Sequence, residues 1–231
     1  MIIGERPGIY AEYSVSREVY GSDDSRLTVG VAAVTAVGDG EPRRIFSRTE
    51  ALQSFGVCSM SGLIKTLLLN GCGNILAAPV TEGDYASAFS RLINAGADII
   101  ICDSREASVL SALKNAVQST EFCWGAAECD GNASACIDLA RGVNFERMVL
   151  CAGTDETGGN AAAAVAAVIA SERELYLNGR CLAGIGALEN EWTLQETEAL
   201  IAGGVTPLEY DGENVVTVRG VTTRTSTDGV P

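Results

Sequence analysis

Asp98-Ile99-Ile100-Ile101-Cys102 is an apolar run without polar alternation. A strand of this kind is buried on both faces, as in a parallel sheet sandwiched between helices. The segments on either side of it fit that arrangement. Upstream, Asn74 to Val80 reads as a strand and Asp84 to Ala95 as a helix. Downstream, Asp103 and Glu106 open a helix that places Leu110, Leu113 and Val117 on one face. Phe122 to Ala126 then reads as a strand, Ala133 to Arg141 as a helix, Arg147 to Ala152 as a strand and Ala161 to Tyr176 as a helix. This alternation predicts an α/β fold: a largely parallel or mixed sheet flanked by helices.

The outer segments extend the pattern. Leu27 to Val37, rich in Val, Ala and Thr, reads as a buried strand. Ser47-Arg48-Thr49-Glu50 has the capping-box form and starts a short helix ending at Phe55-Gly56, and a second helix covers about Met60 to Asn70. Thr193-Leu194-Gln195-Glu196 is another capping box, and its helix stops at Gly203-Gly204. Leu208 to Tyr210 and Val215 to Arg219 form a hairpin around Asp211-Gly212. Residues 1–26 differ from all of this: Gly4, Pro7, Gly8 and Gly21 interrupt them, and Tyr10, Tyr13 and Tyr20 are isolated aromatics. They read as an extended N-terminal arm, followed by a single α/β domain over 27–231.

Composition excludes several functions. The 231 residues carry 30 acids against 16 bases, a net charge of −14, which repels nucleic acid and anionic membrane surfaces. Arg43-Arg44 with Arg48 is the densest basic patch and reads as a solvated face near a loop. The start, Met1 to Arg6, has neither a basic nor a hydrophobic signal region, so a chain made and kept in the cytoplasm is expected. The apolar run Ala161–Ala170 is too short to span a bilayer. Eight cysteines without a CxxC pair read as reduced thiols, with Cys102 and Cys151 in buried strands.

The sequence contains no histidine, so Ser-His-Asp and Cys-His catalysis and histidine-ligated metals are excluded. Gly38-Asp39-Gly40, Gly71-Cys72-Gly73 and Gly184-Ile185-Gly186 each lack the strand–loop–helix context of a phosphate-binding loop. Carboxylates remain. Asp103 and the pair Asp155-Glu156 follow strands, where an open sheet could hold Mg²⁺ or substrate. Equally, Asp103 can cap a helix and Asp155-Glu156 can form a solvated loop. Lys65 and Lys114, the only lysines, fall on helices among polar neighbours, unlike a buried Schiff-base lysine.

Arg6-Pro7-Gly8-Ile9-Tyr10, followed after a polar stretch by Leu27 to Ala32, resembles the opening of contractile tail sheath proteins of phages and phage-derived particles, and Val218 to Thr225, with Thr222, Thr223, Arg224 and Thr225, resembles a motif of their Mu-like branch. Other pieces agree in order: Phe55-Gly56, the turn Asn70-Gly71-Cys72-Gly73, and Leu194 to Val205. The resemblance implies a structural subunit without cofactor or catalysis. It would assemble with copies of itself in the host cytoplasm, through terminal arms that add strands to neighbours, into a helical tube around an inner tail tube protein. Members of that family continue beyond the Thr-rich motif, whereas this sequence ends at Gly229-Val230-Pro231. The expectation is therefore a truncated or short member lacking the C-terminal arm, a monomer or weak oligomer by itself. The alternative is a small-molecule-binding or magnesium-dependent enzyme using Asp103, Asp155 and Glu156.

Overall fold

The computed structural model describes residues 27–35, 40–155, 159–171 and 177–226. The chain begins with β1 (Val29–Val34), β2 (Arg43–Ile45), α1 (Arg48–Phe55), α2 (Ser59–Leu69) and β3 (Ile75–Val80). It continues through α3 (Tyr85–Asn94), β4 (Ile99–Cys102), α4 (Ala107–Gln118), β5 (Trp124–Cys129), α5 (Ala133–Val143) and β6 (Met148–Ala152). It closes with α6 (Ala161–Ser171), α7 (Leu194–Ala202), β7 (Thr206–Tyr210) and β8 (Val215–Thr217). The strands form one eight-stranded sheet in the order β2-β3-β1-β4-β5-β6-β7-β8. The six inner strands are parallel; β2 and β8 pair antiparallel at the two edges.

Two apolar layers sandwich the sheet. Val29, Val31, Ile99 and Ile101 face one side, under α1, α2 and α6; Ala32, Ile100 and Cys102 face the other, under α3, α4, α5 and α7. The unbroken isoleucine run of β4 is thus buried on both faces, and at about 25 cal/mol per Å² such side chains supply most of the drive to fold. Helix α6 is buried all round from Ala161 to Ala167. Only small residues let a helix lie that close to α2 and to the strands beneath it, and a helix apolar on every side has no place except inside.

Most predicted elements are present within a residue or two. Strand β5 starts at Trp124, later than expected, and leaves Phe122 80% exposed. Arg43 and Arg44 are exposed, as a solvated face should be, and lie in the three-residue edge strand β2 opposite Ala77 and Leu76. A three-residue strand with two arginines has too little apolar alternation to announce itself. The predicted capping box at Ser47 is reshuffled: Ser47 Oγ accepts the Glu50 amide, but Glu50 takes the amide of Phe46 instead of Ser47. At Thr193 the box is complete. The expected arm, including Arg6, Pro7, Gly8, Ile9 and Tyr10, lies outside the described residues.

Candidate functional site

In an open α/β sheet the place for a ligand is the carboxyl edge of the strands, at the point where successive connections leave to opposite faces. Here that point lies between β1, whose chain leaves towards α1 and α2, and β4, whose chain leaves to α4. Asp103 occupies it. One carboxylate oxygen accepts the Val34 amide at 3.1 Å and the other the Tyr85 hydroxyl at 2.7 Å. Burial and the facing carboxylate push the Tyr85 phenol well above its usual range, so it remains a donor. The helix-capping role expected for Asp103 is not observed: the N-cap of α4 is Glu106, whose side chain makes no cap. Its side chain instead sews β1 to α3 across the mouth of the crevice.

Two strands further along the sheet, about 10 Å at the usual spacing, Asp155 serves a different junction. It is 8% exposed and accepts the amides of Gly159, Gly186 and Ala187 at 2.8, 3.2 and 2.9 Å. Asp103 and Asp155 therefore serve separate junctions, and Glu156 lies outside the described residues.

Between them sits a residue that the sequence reading missed, Glu128 at the end of β5. It is 2% exposed, receives Arg105 through Nε at 3.1 Å and Nη2 at 2.7 Å, and accepts the amide of Ala161 at the start of α6. Burial raises its pKa; Arg105 and the α6 amides pull the other way, and burial prevails. The single charged residue inside Trp124-Gly125-Ala126-Ala127-Glu128-Cys129 was the available signal. Asp103, Glu128 and Asp155 are each bonded within the fold: Asp103 to an amide and a phenol, Glu128 to an arginine and an amide, Asp155 to three amides. Among the described residues no group of three or more acidic, cysteine or histidine side chains is placed to hold a metal ion.

The motif residues lie elsewhere. Phe55 is buried at the end of α1, and Gly56 follows it with φ 71°. Gly71 turns the chain at φ 83° after α2, and Gly73 leads into β3. The Thr222–Thr225 segment packs along the amino edge of the sheet. Thr223, fully buried, takes the Phe145 amide on its hydroxyl at 3.0 Å and donates to the Phe145 carbonyl at 3.1 Å. Its own amide bonds the Met148 carbonyl. Asn144, left-handed at the end of α5, accepts the Thr225 and Ser226 amides, and Arg224 pairs with Glu146 at 3.1 Å. Thr222 also lines a cavity of about 290 Å³ with Trp124, Val149 and Ile169.

These features define a doubly wound α/β domain whose carboxyl edge carries Asp103, Glu128 and Asp155 bonded within the fold and whose 218–226 segment is bound to the opposite edge. No protein-family model and no curated protein matches the sequence. Solved structures do match in fold. A chain of the anti-feeding prophage baseplate superposes with a TM-score of 0.69 at 17% identity, over 98% of this chain and 70% of that one. The helical sheath of the anti-feeding prophage in its contracted state gives 0.64 at 15% identity, over 95% and 72%. The sheath tail protein of Desulfitobacterium hafniense gives 0.70 at 11% identity, over 96% and 76%. The chain has the fold of these sheath proteins.

Proposed function

We propose that this chain is a structural subunit of a contractile tail sheath, without catalytic activity, which joins copies of itself into a helical tube around an inner tail tube. The observation that carries the reading is the superposition of 98% of the chain on a component of a contractile particle. The carboxyl edge supports it, because Asp103 and Asp155, two of the acids that a magnesium-dependent enzyme would use, are engaged in holding β1, α3 and the 186–187 segment together. Residues 1–26, with Arg6-Pro7-Gly8-Ile9-Tyr10, serve as the assembly arm, since a donated strand gains main-chain hydrogen bonds without needing a large apolar patch. Assembly takes place in the host cytoplasm, and the product is the tail of a phage or phage-like particle.

Sedimentation velocity over a concentration series tests this, alongside thermal melts with and without Mg²⁺ and nucleotide. The expected result is a monomer or weak oligomer at micromolar concentration that grows without stopping at a dimer, with a Tm indifferent to either ligand. A chain that stays monomeric to near-millimolar concentration and is stabilised by Mg²⁺ or nucleotide, about 2.7 kcal/mol at a hundredfold excess over Kd, would overturn it.

A further inference from the structure

The two edges of the sheet carry opposite charge, and we infer that the β2 edge of one copy docks into the groove beside the β7–β8 hairpin of the next. This rests on the self-assembling reading above and adds which faces meet. On a chain of net charge −14, Arg43, Arg44 and Arg48 are exposed together at the β2 edge, beside Phe46, itself 66% exposed. At the other end of the sheet, a groove of about 480 Å³ is lined by Leu188, Glu191, Trp192, Leu208 and Tyr210. Exposed Asp211 and Glu213 follow at the hairpin turn, and the Asp211 carboxyl is held below its usual range by the Asn214 and Glu213 amides. Aromatic rings beside carboxylates suit a guanidinium, which stacks on the ring and pairs with the acid.

The geometry also limits how the contact forms. The outer side of β8 is already bonded to residues 179–182, through Thr217 to Arg180 and Leu182 to Val215. The joint is therefore made by side chains rather than by strand addition. Two different faces meet, so the contact does not close on a two-fold axis and propagates from copy to copy.

Cross-linking tests it. An Arg44→Lys, Arg48→Lys variant is prepared in ¹⁵N-labelled and unlabelled forms, mixed at high concentration and treated with a zero-length carbodiimide. Mixed-isotope peptides joining position 44 or 48 to Glu191 or to residues 209–213 are expected, and should disappear in high salt. The two edges lie about 34 Å apart within one copy, at seven strand spacings, so such a link cannot be internal. Arg44→Glu with Arg48→Glu, or Glu191→Arg with Glu213→Arg, should each weaken self-association about tenfold, the effect of two exposed ion pairs and a ring contact. Mixing the two variants should restore it. Mixed-isotope links confined to other surfaces would overturn this inference and leave the sheath reading standing. No intermolecular link at any concentration would overturn both.

Discussion

At the scale of single residues, the tightest positions are those where a missing side chain lets two elements touch. Gly30 is the second residue of β1, and a Cβ placed there would stand 2.9 Å from the Ala97 Cβ and 3.2 Å from the Leu92 methyls. The Ala97 carbon cannot swing away, so Gly30→Ala should cost about 1–3 kcal/mol as overpacking, read as a lower urea midpoint with unchanged slope. Glu128 gives a prediction with a sign in pH. Its folded pKa is raised above the ordinary value of 4.5, so the native state holds the proton more tightly than the unfolded chain. The stability this group contributes is complete below the unfolded pKa and is lost as pH rises through the folded one. Glu128→Gln removes the charge and turns one of the two accepting oxygens into a donor facing Arg105 or the Ala161 amide, and should destabilise by about 1–3 kcal/mol. The gap to the wild type should narrow as pH rises above the ordinary value of 4.5, because only the wild type loses stability there through residue 128. A gap that widens over this range means that pairing with Arg105, not burial, governs the group.

Elements differ in how much of them the sequence carries. β4 and α3 were readable because their burial is local: an isoleucine run in one, and in the other Asp84 capping through the Ser87 amide ahead of buried Ala88, Phe89 and Leu92. β2 was not, since it exists only through its pairing with β3, 32 residues away between Arg44 and Leu76. The same reason hid the task of Asp103, whose partners Val34 and Tyr85 lie 69 and 18 residues distant. The C-terminal segment 218–226 is another such element, without regular structure and fixed by its partners. Thr223→Val keeps the shape and deletes the hydroxyl, leaving the buried Phe145 amide without its acceptor. A loss of about 1–3 kcal/mol is expected, together with faster proteolysis within 218–226 under native conditions. Equal stability but unchanged cleavage would mean that Asn144 and Arg224 hold the segment unaided.

For the molecule as a whole, the eight thiols report how completely the two layers are closed. None of the eight cysteines is in a disulfide, and six of them are buried: Cys72, Cys102, Cys123, Cys129, Cys136 and Cys151. Burial pushes the Cys102 thiol up to about 12 and the Cys123 thiol to about 11, and raises Cys151 as well. Since the thiolate is the reacting species, these groups are shielded twice, by access and by protonation. They belong to both apolar layers, with Cys72 and Cys151 on one face of the sheet and Cys102, Cys123, Cys129 and Cys136 on the other. A disulfide reagent added to the native protein should therefore titrate exposed Cys181 quickly and half-buried Cys58 more slowly. The other six should react together, at a rate set by global unfolding and independent of reagent concentration. If the cysteines of one layer react well before those of the other, the layers open separately, and the sheet does not bind them into one cooperative unit.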